Sequence, residues 1–434
     1  MKKATRFLAL FLAVILVMGS FGACTKKQNA GNNTTTPAAT QAPAAATQAP
    51  ITAIPVTLKV WAPENQIQSA TIDTMCNSFQ TLHPEWNITY TVETQGEDTA
   101  KDEILKDVTA AGDVYFFAND QLTALVNAGA IARLGGSTEE MVKSTMAKPV
   151  VDTVTVNDAI YAIPFTHNTF FMYYDKSLLT ADDVKSVEKI MAKKTADNVF
   201  NFCFDPAGGW KLGAWYYGAG LTIYGDSQND FAAGANWNNP TGLAVTNYLI
   251  DLINNPKCAY SDDVSITELA ADHRIGAWFD GSWNYQLYKD ALGDDLGLAI
   301  IPTFNPDGKD YQLKGFYGSK AIGVNPQAPF PEVAVAFAAY LGSEEMQMQR
   351  FTETGQVPTN QNAGNSPEVQ ADEVAKVLVE EVNNASVMQP TSAEFGARYW
   401  TNAGAIATEI KSGDLNKKNA QDKLNTFVDA MKVQ

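Results

Sequence analysis

Histidine and cysteine are scarce in this chain of 434 residues, three of the first and four of the second. His83, His167 and His273 are scattered, and no C-x-x-C or H-x-x-x-H spacing occurs. No metal site is therefore expected. Cys24 belongs to a leader described below; Cys76, Cys203 and Cys258 are left, an odd number that implies no disulfide framework. They read as small buried hydrophobes. Positive charge is also short: 31 Lys and Arg face 48 Asp and Glu, a net charge of −17 at pH 7. That balance argues against nucleic acid as a partner. No G-x-S-x-G, Walker loop or G-x-G-x-x-G is present, and Gly208-Gly209 stands alone. The acidic pairs Asp182-Asp183, Asp262-Asp263 and Asp294-Asp295 sit in polar stretches and read as solvated turns. Glycoside hydrolysis needs two carboxylates facing each other across a bond. No catalytic residue and no cofactor is expected.

What is present begins with a secretory signal over Met1–Ala23. Lys2, Lys3 and Arg6 precede an apolar run from Phe7 to Met18, which is too short to span a membrane comfortably. Phe21-Gly22-Ala23-Cys24 resembles a bacterial lipobox, which makes Cys24 the expected lipidation site; ordinary cleavage with an incidental Cys24 is the alternative. Acyl chains there would anchor the protein at about 0.8 kcal/mol per buried methylene. Residues 24–55 then form a tether rich in Thr, Ala, Pro, Gln and Asn, unable to bury enough surface to order itself. The expected location is the outer face of a cell membrane, with the folded part starting near Val56.

From there the pattern alternates strand and helix. Strands are expected at Val56–Trp61, Trp86–Val92 and Asp113–Phe117, with helices at Ser69–Leu82, Thr99–Ala111 and Leu122–Ala130 between and after them. This order predicts a parallel sheet covered by helices. Glu64 and Asn65 follow the first strand and Asn119 and Asp120 the third, so all four are candidates for one crevice at the strand ends. Pro164–Asn168 separates two short strands and can serve as a crossing between lobes. Thr241–Asn254 and the tail segments 368–383, 393–410 and 419–432 read as helices.

The most informative stretch is AWFDGSWNYQLY, residues 277–288. It reads as a strand, a Gly281-Ser282 turn and a helix that starts with Trp283, Tyr285 and Tyr288. Aromatic faces beside free backbone N–H groups suit a ligand with apolar C–H faces and many hydroxyls, that is, a sugar. Plain core packing of Trp283 and Tyr285 is the competing reading. Asp120 is the one acid expected to accept hydroxyl hydrogen bonds in the crevice.

Several short segments occur in a recognisable order: VTLKVWAP, DVYFFANDQLTALVNAGAI, AIPFTHNTFFMYYDKSLL, FDGSWNYQ, LGLAIIPTF, GSKAIGVN, GQVPTN and ARYW. Together they make the chain similar to solute-binding proteins of ABC importers, in particular the maltose/maltodextrin-binding branch. The resemblance implies an α/β fold of the two-lobed periplasmic-binding-protein type (type II), each lobe a mainly parallel sheet flanked by helices, with a ligand cleft between them. It implies a first lobe from 56–165 and 316–368 and a second from 166–315 and 369–434. Trp210, Trp283, Tyr285 and Trp400 would be stacking platforms; Glu64, Asn65, Asn119, Asp120 and Asn168 would meet hydroxyls. The implied partners are a malto-oligosaccharide and a membrane permease, and the implied state is a monomer without enzymatic activity. Three charged positions of the branch fall at Gln66, Gln121 and Asn168 here, which removes charge-assisted hydrogen bonds about twice as strong as neutral ones. Another neutral oligosaccharide or solute, a surface glycoside hydrolase and a structural surface protein are the alternatives.

Overall fold

In the computed structural model, residues 53–433 are described, apart from Ser227 and Asn229. The leader Met1–Ala23, the lipidation candidate Cys24 and the tether as far as Thr52 lie outside the described residues.

Val56, Leu58 and Val60 are buried while Thr57 is exposed and Lys59 half-exposed, the period of two that makes this segment a strand with one covered face. The strands that matter for the site are β1 (Ile54–Ala62), β2 (Trp86–Thr94), β3 (Val114–Ala118), β4 (Ala162–Asn168), β5 (Phe170–Asp175), β6 (Phe200–Phe204), β7 (Cys258–Tyr260), β8 (Ile275–Gly281), β9 (Leu296–Ala299), β10 (Gly315–Val324) and β11 (Ser386–Met388). The first sheet has the order β11-β10-β3-β1-β2, with β4 also paired to β10; the second has the order β9-β5-β8-β6-β7. β1 runs parallel to both β2 and β3, and β8 parallel to β6. β10 runs antiparallel to β3 and β4, and β5 antiparallel to β8 and β9, so each sheet is mixed. The reason is connectivity: β4 and β5 are separated only by Thr169, so the chain passes from one sheet into the other without a helical crossover.

Each sheet has its own apolar core. Val60, Phe79, Phe117, Ile163 and Phe337 belong to the first. The second sheet is covered on both faces: Phe170, Met172 and Tyr174 of β5 enter one cluster, while Phe171 and Tyr173 enter another. Burial on both faces explains why FFMYY reads as an unbroken apolar run rather than an alternating one. Cys76, Cys203 and Cys258 are all buried, and burial pushes the Cys76 thiol up to about 12.

Two expected elements are shorter in the structure. The helix expected at Thr99–Ala111 is present only at Ala100–Ile104. The Asp107 carboxylate accepts from the Thr109 N–H at 2.9 Å and its hydroxyl at 2.6 Å, a local turn that competes with helix. The apolar segment Leu296–Pro302, which reads as one long strand, is strand only to Ala299. Among the described residues, no helix is long and apolar enough to cross a membrane.

Four helices bear on the site. α1 spans Trp210–Gly218, α2 Tyr285–Leu292, α3 Glu373–Asn384 and α4 Ala393–Ser412. Ser392 caps α4 by accepting from the Phe395 N–H at 3.2 Å, and Gly413 ends it in the left-handed conformation.

Candidate functional site

A cavity of about 520 Å³ opens where the strand ends of the two sheets face each other, a volume in the range of small-molecule sites. From the first lobe come Glu97 and Asp98 after β2, Ala118 and Asp120 at the end of β3, Asn168 at the end of β4, and Lys320 on β10. From the other side come Gly208 and Trp210 after β6, Trp283 after β8, and Trp400 on α4, while Gln389 follows β11 at the edge of the first sheet.

Three indoles therefore reach one space from three segments far apart in sequence. Trp210 and Trp283 lie with ring centroids 6.0 Å apart and planes 25° apart. Phe170 meets Trp210 edge-on at 4.9 Å, and Phe316 meets Trp400 edge-on at 5.9 Å. Gly281 decides where Trp283 goes. A Cβ on Gly281 would stand 2.1 Å from the indole, so only glycine lets the ring fold back over the strand end. All three tryptophans are half-buried, held by aromatic neighbours while part of each surface faces the cavity.

The polar wall is mainly acidic. Burial pushes the Asp120 carboxyl up to about 7, against the pull of its own backbone N–H and of Lys101. The Glu97 carboxylate bonds the Lys320 ammonium, and both side chains are largely buried, 8 % and 14 % exposed. Glu97 is fixed through its backbone: its carbonyl accepts from the Ala118 N–H at 2.9 Å and from Gln121 Nε2 at 2.6 Å. The other end of the Gln121 amide accepts from the Lys101 N–H at 2.7 Å. Gln121, at a position where the resemblance implies a basic residue, thus ties the Glu97 loop to β3. One oxygen of Glu97 and the side-chain oxygen of Gln389 are buried without a hydrogen-bond partner. Such acceptors are costly unless a donor arrives.

Of the residues singled out in the sequence, Asp120, Asn168, Trp210, Trp283 and Trp400 line this cavity. Glu64, Asn65, Asn119 and Tyr285 do not. Glu64 is exposed and accepts from Gln68 Nε2 at 2.7 Å; Asn65 is exposed and accepts from the Gln66 N–H at 2.9 Å. Both belong to a five-residue helical turn, Glu64–Gln68, whose buried member is Gln66. Tyr285 packs against the cluster around Trp278, and its hydroxyl donates to Glu373 at the start of α3. Asn119 is fully buried, and its Oδ1 accepts from the Ser319 N–H at 2.9 Å. It joins β3 to β10. Asn119→Ala will strand that amide and lower stability by about 1–3 kcal/mol, read as a lower urea midpoint; an unchanged midpoint would refute the structural role.

Glu97, Asp98, Lys320 and Gln389 were not singled out in the sequence. Glu97 and Asp98 were within reach of the strand-end rule applied to β2. Lys320 and Gln389 arrive on strands from the late part of the chain, and no local pattern marks them.

His167 stands beside the crossing, with Nδ1 3.2 Å from the Tyr317 hydroxyl. Burial pushes it down to about 4, opposed by a bond to the Pro358 carbonyl. Between pH 6.5 and 4 the unfolded chain then binds more protons at this site than the folded one, so the stability it confers is lost as pH falls. Asp120 has the opposite sign: raised toward 7, it favours the folded state at low pH and that contribution is lost as pH rises through 7. His167→Gln will remove the first effect. Relative to the wild type, the variant gains about 1–2 kcal/mol on going from pH 7 to pH 5, allowing for partial exposure of the ring. Urea midpoints at the two pH values test this, and parallel profiles would contradict it.

Known proteins share this architecture. A solved structure of a complex with acarbose superposes with a TM-score of 0.82 at 40% identity, covering 87% of this chain and 98% of that one. The maltodextrin binding protein MalE1 from L. casei BL23, solved without ligand, superposes with a TM-score of 0.77 at 25% identity, covering 87% and 99%. The galactooligosaccharide-binding protein of Bacillus subtilis (strain 168) is 23% identical over 329 residues, 71% of this chain and 74% of that protein. A family model of bacterial extracellular solute-binding proteins matches residues 74–376. With its two lobes, its cleft at facing strand ends and that match over most of its folded length, the chain belongs to the bacterial extracellular solute-binding protein family.

Proposed function

We propose that this protein captures α-glucan oligosaccharides of the maltodextrin type and hands them to an ABC permease, held at the membrane by a lipid on Cys24. The observation that carries the reading is the meeting of Trp210, Trp283 and Trp400 on one cavity that also holds buried, unpartnered acceptor oxygens. Indole faces suit the C–H faces of pyranose rings, and free acceptors suit their hydroxyls. The ligand named for the structure at 40% identity, acarbose, and the maltodextrin binder at 25% support an α-glucan. The Bacillus relative keeps galacto-oligosaccharides as a second reading.

In this reading the lobes 56–165 with 316–368 and 166–315 with 369–434 close on the ligand about the crossing near Thr169. The protein acts as a monomer without catalysis, and the cleft acids bind hydroxyls. A thermal-shift panel tests the reading, because a ligand that binds only the native form raises its apparent stability. Maltotriose and longer malto-oligosaccharides are expected to raise the melting temperature, and galacto-oligosaccharides to leave it unchanged. The reverse order would transfer the assignment to the second reading. Shorter products from maltoheptaose would make the protein an enzyme.

A further inference from the structure

The Trp283 ring is already covered by a charge from its own chain. The Lys320 ammonium lies over it, 4.8 Å from the ring centroid, while bonding Glu97. Lys320 reaches this place from β10, where the pairing with β4 shifts register between Lys320 and Ala321. Irregularities of this kind re-aim a side chain next to a site. Trp210 stands against the same indole at 6.0 Å. A pyranose that stacked on Trp283 from the cavity would need the space the ammonium holds.

We propose that Lys320 is a displaceable stand-in for the ligand, covering the Trp283 face in the empty site and swinging off it when a sugar ring stacks there. The proposal rests on the sugar-binding reading above and adds a residue that sets affinity. Displacement is feasible because the ammonium has other anions to reach. Glu97 has a second, unpartnered oxygen, and Asp98 and Asp120 line the same cavity. The flexible four-carbon stem allows the move without backbone change. The lysine keeps the apolar ring covered and the buried carboxylate neutralised until a ligand replaces the first role. Its cost is affinity, because a cation–π contact must be exchanged for a sugar–π contact.

Calorimetry with maltotriose on the wild type, Lys320→Met, Glu97→Gln and the double variant tests this. Lys320→Met keeps length and removes the charge. It should bind maltotriose about three- to tenfold tighter than the wild type. The double variant should exceed Glu97→Gln by a similar factor, a comparison free of the carboxylate left unpaired in the single variant. In the empty protein, Lys320→Met should shift the tryptophan emission; with maltotriose bound, its emission and that of the wild type should coincide. Equal or weaker binding by Lys320→Met and by the double variant, with the wild type binding normally, would overturn the stand-in alone and make Lys320 an ordinary ligand contact. A wild type that binds no malto-oligosaccharide would instead remove the functional reading beneath it. Should Lys320→Met fail to fold, the double variant against Glu97→Gln carries the decision.

Discussion

Trp283→Ala will weaken maltotriose binding at least tenfold, about 1.4 kcal/mol or more. The loss has two parts. The indole stands against both Trp210 and the Lys320 ammonium, so truncation removes a flat surface that lines the cavity. It also leaves Trp210 without its stacked neighbour and free to tilt. Stability should change far less, because Trp283 lies in a turn after β8 and stands outside the apolar clusters that hold the second sheet together. Far-UV circular dichroism and the melting temperature of the empty protein are therefore the controls. Calorimetric affinity within twofold of the wild type would refute stacking on this ring, whatever the sugar.

The same ring shows how far sequence reasoning reaches. Trp283 was legible because strand, Gly-Ser turn and aromatic occur within seven residues, so backbone rules place the side chain without tertiary information. Trp210 was reached through the family resemblance rather than through a local pattern. Tyr285 sits two residues beyond Trp283, yet the first turn of α2 carries it round to Glu373 on α3. An angular difference of that size depends on where the helix begins, and the three-residue 3₁₀ turn at Ser282–Asn284 is not readable from composition. Asn119 illustrates a second limit. A polar residue at a strand end can face the ligand or the neighbouring strand, and the choice is made by β10, which lies two hundred residues away. Lys320 and Gln389 illustrate a third: Lys320 is set by β10 pairing with β3 and β4, and Gln389 follows β11, which pairs with the start of β10. A helix-covered sheet followed from the order of strands and helices, and the two lobes from the family resemblance. The antiparallel entry of β5 did not, because an unbroken apolar run such as FFMYY carries no mark of strand direction.

Gly404→Ala tests the packing that brings Trp210 and Trp400 to the same wall. In an exposed helix interior this substitution stabilises by about 1 kcal/mol, since alanine is the better helix former. Here it will destabilise by up to about 2 kcal/mol net, because an overpacking cost of roughly 1–3 kcal/mol opposes that gain. The Cβ would stand 2.1 Å from the Ala207 carbonyl oxygen, a backbone atom that cannot rotate aside. The loop before α1 lies directly on α4 at this point, and the Tyr399 hydroxyl fastens it by donating to the Gly209 carbonyl at 3.0 Å. To admit a methyl group, either the loop lifts or the helix slides. Both movements separate Gly208 and Trp210 from Trp400, which sits one turn before Gly404 on α4. Binding should fall together with stability, and by more than the unfolded fraction explains. Urea denaturation and calorimetry on the same preparation separate the two effects. A variant as stable as the wild type, with unchanged affinity, would mean that the loop and helix can part without moving the tryptophans, and that the close approach at Gly404 does not set the shape of the cavity.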